Sequence, residues 1–211
     1  MNVFYIVRHG QTDWNLLGKT QGHGDSSLTK EGISQTNSLA DFLENENIDM
    51  IFSSDLGRAI QTADIIGNKL GLNINKTESL REMNFGLWEG LLIDEIKNNH
   101  KEIYDTWRNA PHLANIPGGE TLDIIKDRVD RFINDINKKY DNKKILLVSH
   151  SITVRVMLLS FLNSPMENIY RIKQDNTALN IVEFRSYGPV VTKMNDTNHT
   201  KYKSLVNSIR L

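Results

Sequence analysis

The chain of 211 residues has no cysteine, a formal net charge of only −1 and no long hydrophobic run. Each absence excludes a class of chemistry or of partner. Without cysteine there is no disulfide, no thiolate zinc site, no iron–sulfur cluster and no thiol nucleophile. With 25 basic residues against 26 acidic ones, no broad field invites nucleic acid or an anionic membrane. The apolar opening from Met1 to Val7 is cut short by Arg8 and His9, and Lys144 to Val148 is only strand length. Neither can serve as a secretory or membrane-spanning segment. What remains is a cytoplasmic chain, read as one domain over 1–211, long enough to bury a core without staples. Its chemistry must come from His, Asp, Glu, Ser, Lys or Arg.

Four short runs rich in β-formers stand out: Val3 to Val7, Met50 to Ser53, Ile145 to Val148 and Asn180 to Phe184. The first and third are almost continuously apolar, as strands covered on both faces are. Pro189 to Met194 is placed as a hairpin partner of the fourth, and a weaker strand is expected near Leu72 to Asn75. Helical patterns lie between them over Thr29 to Leu43, Gly57 to Leu70, Ile93 to Arg108, Thr121 to Tyr140 and Ser151 to Leu162. Gly71 stands where a left-handed cap belongs. In Thr121 to Tyr140 the expected buried stripe is Ile124, Ile125, Val129, Phe132, Ile133 and Ile136. Strand and helix alternate, which predicts an α/β three-layer sandwich: a mainly parallel central sheet with helices on both faces.

The segments that follow the strands carry the chemistry. The first strand runs into Arg8-His9-Gly10, the second into Ser53-Ser54-Asp55-Leu56-Gly57-Arg58, and the third into Ser149-His150-Ser151. Ligands in such sheets bind beyond the carboxyl ends of the strands. Two histidines and two arginines are thus expected at one sheet edge, a cluster that calls for an anion. A phosphate fits, because arginine forks match its oxygens. The expected ligand is a small phosphorylated metabolite.

Arg8-His9-Gly10-Gln11-Thr12-Asp13-Trp14-Asn15 resembles the R-H-G-x-T-x-x-N signature of the histidine phosphatase superfamily, in its phosphoglycerate-mutase-like branch. Further blocks resemble the same family in order: Gln21-Gly22 with Asp25, Leu28-Thr29 and Gly32; Ser53 to Ala63; Leu80-Arg81-Glu82 with Phe85-Gly86 and Glu89-Gly90; Pro117 to Glu120; and Val148-Ser149-His150. The resemblance implies that His9 is the nucleophile and forms a phosphohistidine. Its imidazole is neutral at ordinary pH, and Arg8 favours that form. It implies that Arg8, Arg58 and His150 hold the phosphoryl oxygens, with Asn15 adding a hydrogen bond. Glu82 becomes the general acid and base, ahead of Glu89. Thr12, Gln21 and Gly22 are placed on the substrate side. Ser151 stands where many members have glycine, at a helix start where its N–H can still meet phosphate. Neither cofactor nor metal is implied.

The compact Phe85-Gly86-Leu87-Trp88-Glu89-Gly90 block resembles the phosphatase members more than the cofactor-dependent phosphoglycerate mutases. Among them, α-ribazole phosphatases and metal-independent phosphoserine phosphatases are the nearest in pattern. Asp175-Asn176-Thr177-Ala178 leans towards the second. The residues expected to set specificity lie between Ile93 and Pro117 and near the C-terminus, with Trp88, Trp107, His112 and His199 as candidates. The alternatives are a mutase, a non-catalytic module that binds phosphorylated ligands, and a metal hydrolase, for which H-x-H and H-E-x-x-H are missing. A homodimer is the default expectation for a soluble oligomer.

Overall fold

Val3–Arg8 (β1) lies inside a six-stranded sheet in the computed structural model, which describes residues 1–200. The other strands are Met50–Ser54 (β2), Ile74–Thr77 (β3), Lys144–Ser149 (β4), Leu179–Arg185 (β5) and Gly188–Asp196 (β6). Their order is β3-β2-β4-β1-β5-β6. The first four are mutually parallel, while β5 runs antiparallel to β1 and forms a hairpin with β6.

Side-chain alternation divides the core. Phe4 and Ile6 of β1, with Ile145 and Leu147 of β4, join the core on one face. Tyr5, Val7, Leu146 and Val148 join the core on the other. Successive strand residues point to opposite faces, so two central strands serve both layers and must be apolar throughout. On the first face lie Ile93–Asn99 (α4 in chain order), Lys101–Asn109 (α5), Leu122–Lys139 (α6) and Ser151–Phe161 (α7). On the second lie Lys30–Leu43 (α2) and Gly57–Leu70 (α3). The short Asp13–Leu17 (α1) follows β1. The architecture is the expected α/β sandwich with helices on both faces.

Local chemistry sets the helix ends. Thr29 and Thr121 accept the N–H groups of Gly32 and Ile124, and Gly71 closes α3 at φ +68°. The segment expected as one helix over Ile93 to Arg108 is two, because His100 leaves helical geometry at φ −133°, ψ 39°. The stripe on α6 is narrower than expected. Ile125, Val129, Ile133 and Ile136 are buried, but Ile124 is 50% exposed. Adjacent helix residues are about 100° apart, so Ile124 falls off the face that Ile125 occupies. All residues from Ile152 to Leu159 are buried, as the all-round apolarity of α7 requires, and they include one charge, Arg155.

No helix among the described residues is long and apolar enough to cross a membrane. Asn180, fully buried in β5, secures the segment next to the β1 end. Its amide donates to Ile6 O at 3.0 Å and to Gln174 Oε1 at 3.0 Å, and its Oδ1 accepts from Gln174 Nε2 and Asn195 N. Asn180→Ala would strand several buried donors and acceptors, so a loss of about 2–3 kcal/mol is expected in urea unfolding. A loss below about 0.5 kcal/mol would show that this network does not hold the segment.

Candidate active site

The last rung of the β1–β4 ladder pairs Arg8 with Ser149, and the His9 N–H donates to Ser149 O at 2.9 Å. His9 and His150 are thereby set side by side, with ring centroids 5.2 Å apart. The His9 ring is 3% exposed, and its Nδ1 lies 2.7 Å from Gly10 O. A carbonyl can only accept, so Nδ1 carries the proton and Nε2 keeps its lone pair. Burial first, then the cations of Arg58 and Arg8, hold the His9 pKa well below the ordinary value. Burial also depresses His150, followed by Arg58 and the neighbouring His9. Its Nε2 meets Ser54 Oγ at 2.8 Å, and its buried Nδ1 has no partner among the described residues.

Thr177 wraps the other side of the β1 end. Its N–H lies 3.1 Å from Arg8 O and 3.3 Å from His9 O. It holds φ +55°, a left-handed conformation that a β-branched residue adopts only under constraint. Asn176 Nδ2 adds a donor to His9 O at 3.1 Å and reaches Asn15 Oδ1 at 3.2 Å. The nucleophile candidate therefore has a fixed backbone, a fixed ring tautomer and one free nitrogen.

Two arginines approach from different elements. Arg8 Nη1 donates to Gln174 O at 2.6 Å, while its buried Nε has no partner among the described residues. Burial, with Arg155 next in weight, pushes its pKa down to about 10. Arg58, 1% exposed near the start of α3, donates to the carbonyls of Gly22 at 2.7 Å and Gly24 at 2.8 Å and to Asp25 Oδ1. It pins the loop that carries Gln21 and Gly22, and its Nε too has no partner among the described residues. Gly22 sits at φ +54°, where a Cβ would collide with Oε1 of Glu89.

Glu82, 7% exposed, is held at the N-terminus of α7. Oε1 accepts from Met83 N at 3.0 Å and Thr153 N at 3.2 Å, and Oε2 accepts from Ile152 N at 3.2 Å. The carboxylate thus caps a helix whose own N-cap residue, His150, makes no side-chain cap bond. Glu89 is differently used. It accepts from His23 N, Gly24 N and Phe85 N, so it braces the loop and does not line the cavity.

A cavity of about 600 Å³ opens over this edge, and its walls include Arg8, His9, Asn15, Gln21, Gly22, Arg58, Glu82 and Ser151. Two expected site residues stand outside its lining. Thr12 is fully buried, its hydroxyl accepting from Asn15 N and from Gln21 Nε2 at 2.9 Å, so it positions its neighbours and cannot face substrate directly. His150 is fully buried beside His9. Of the specificity candidates, Trp107 lines the cavity while being 1% exposed. Trp88 is buried in the core, His112 is exposed, and His199 contacts Thr177 and Phe42 outside the cavity lining. Sequence reasoning missed Arg155, Tyr170, Gln174 and Asn176 as cavity residues. A charge inside the otherwise apolar α7 was the signal for Arg155.

Comparison with known proteins follows the same lines. The histidine phosphatase superfamily (branch 1) profile matches residues 4–197. Phosphoserine phosphatase 1 of Hydrogenobacter thermophilus is 30% identical over 194 residues, 92% of each chain. "Probable phosphoglycerate mutase GpmB" of Yersinia pestis is 33% identical over 206 residues, 95% of this chain and 96% of its own. Among solved structures, Bacillus stearothermophilus YhfR superposes with a TM-score of 0.91 at 28% identity, covering 94% of this chain and 99% of its own. The phosphoserine phosphatase mutant (H9A) from Entamoeba histolytica, in complex with phosphoserine, gives 0.81 at 31% identity, with 94% and 99% covered.

The two depressed histidines make stability depend on pH. Unfolding returns each imidazole to about 6.5, so below that pH the unfolded chain takes up protons that the folded chain refuses. Stability is therefore full above about pH 7 and falls as pH drops. Between pH 7.5 and 5.5 roughly 2–3 kcal/mol should be lost in urea titrations, and His9→Gln should remove about half of that dependence. An unchanged unfolding midpoint over this range would contradict the neutral, buried state of the pair.

Proposed function

Because the chain belongs to the histidine phosphatase superfamily, branch 1, whose relatives above are phosphatases and mutase-like proteins, we propose that it is a metal-independent phosphomonoesterase acting through a phosphohistidine on His9. The observation that carries this reading is the Nδ1–H to Gly10 O bond, which leaves the His9 Nε2 lone pair free beside Arg8, Arg58 and Glu82. Phosphoserine, α-ribazole phosphate or a related small ester is the substrate.

In the first step Nε2 of His9 attacks phosphorus, the P–O ester bond breaks, and Glu82 gives its proton to the departing alkoxide oxygen. In the second, Glu82 takes a proton from water as the water oxygen attacks phosphorus and the N–P bond breaks. The products are alcohol and inorganic phosphate, and His9 regains its lone pair. Arg8 and Arg58 balance charge on the phosphoryl oxygens, the main source of rate in such transfers. Asn15 and the Ser151 side chain, both in the cavity wall, supply further polar contacts to them, and His150 acts from beside the His9 ring. The carbonyl of Gly10 steadies the positive charge on the ring while phosphorus is attached.

The likeness to the mutase-named relative supports one second reading, return of the phosphoryl group to a phosphoglycerate instead of water. A panel of phosphomonoesters separates the two. With phosphoserine, α-ribazole phosphate and 3-phosphoglycerate, phosphate release in excess chelator is expected. Faster isomerisation of 3-phosphoglycerate than its dephosphorylation, given 2,3-bisphosphoglycerate, would favour the mutase. His9→Ala should leave less than about 1% of turnover and no acid-labile labelled phosphoenzyme, since loss of a nucleophile removes the covalent route. Higher residual turnover would refute the assignment. Glu82→Gln should slow alkyl phosphates by about 10²-fold or more, and aryl phosphates far less, because phenolate leaves without a proton. Equal slowing of both would remove Glu82 from the acid role.

A further inference from the structure

Arg155 has no task in the chemistry above. It projects from the middle of α7, is 8% exposed and lines the cavity. Among the described residues its buried Nε and Nη1 have no hydrogen-bond partner and no ion pair engages it. Burying a guanidinium without a counter-charge is costly, so such a group is kept where a ligand completes it. Its surroundings hold the cation in place, and Glu82 and Asp175 act on it through space without pairing with it among the described residues. The guanidinium lies 6.0 Å from the ring of Tyr170, which also carries Arg108 at 4.6 Å. Tyr170 in turn meets Trp107 edge to face at 6.0 Å. Lys173, another cation of the cavity lining, is already paired with Asp175 at 2.9 Å.

The geometry points to a second anion subsite centred on Arg155, which makes the preferred substrates phosphomonoesters that also bear a carboxylate a few atoms from the ester oxygen. One guanidinium balances one negative charge, and its planar donors match a planar carboxylate. The apolar wall of Trp107 and Tyr170 lowers the local dielectric and strengthens that pairing. Arg155 is thus a specificity-determining residue, and phosphoserine-like or phosphoglycerate-like esters are favoured over the uncharged side of α-ribazole phosphate. This assignment rests on the phosphomonoesterase reading of His9.

The test compares O-phosphoserine with O-phosphoethanolamine, which has the same ester and amine but no carboxylate. The wild-type protein should favour phosphoserine at least tenfold in kcat/KM, mainly through KM. Arg155→Met should reduce that ratio at least tenfold, and Arg155→Lys should restore part of it. Equal loss on both esters would mean that Arg155 serves the phosphoryl group or the fold, and would overturn the subsite. If Arg155→Met does not fold, the wild-type ratio decides alone: near unity, the subsite is wrong while the phosphatase stands. No release of phosphate from either ester, or from phenyl phosphate, would bring down the phosphomonoesterase reading and the subsite with it.

Discussion

Parallel pairing of β1 with β4 ends where Arg8 lies opposite Ser149, and the His9 amide continues the ladder by donating to Ser149 O. Most of what is distinctive about the molecule follows from that register. Because side chains alternate along a strand, a slip of one residue would turn Phe4 and Ile6 to the wrong layer. It would also separate the two histidine rings. The apolar residues on both faces make the slip expensive, so the hydrophobic core fixes the positions of polar groups beyond the strand ends.

Electrostatics then imposes a second constraint. Arg8, Arg58 and Arg155 are brought near one another with their charges poorly solvated, and burial lowers the pKa of each. Glu82 is the carboxylate placed among them, and it also completes the N-terminus of α7. One group therefore satisfies helix amides and offsets nearby cations. Its replacement acts on the fold as well as on proton transfer.

The sheet was readable because its central strands are apolar on both faces, and the site because strand ends place residues from distant segments at one edge. What escaped the sequence depends on side-chain direction. Thr12 lies in the same motif as His9, yet its hydroxyl turns inward as the cap of a short helix. Glu89 resembles a catalytic carboxylate in composition, but three backbone amides claim it. Ile124 matched a helical spacing that left the width of the buried face undecided. Arg155 was hidden by the opposite problem. Its helix is so uniformly apolar that periodicity gives no facing, and only packing against Tyr170 shows where the charge emerges.

The nitrogens of Arg8 and Arg58 that have no partner among the described residues have a consequence for the protein between turnovers. Any oxyanion that settles among them relieves repulsion present in the folded state and absent from the unfolded chain. A ligand at a hundred times its Kd adds about 2.7 kcal/mol to folding stability. Inorganic phosphate is such a ligand, so the product of the proposed reaction would protect the protein and obstruct it together. Melting temperature becomes a gauge of occupancy, with the empty cavity as the most fragile state of the molecule.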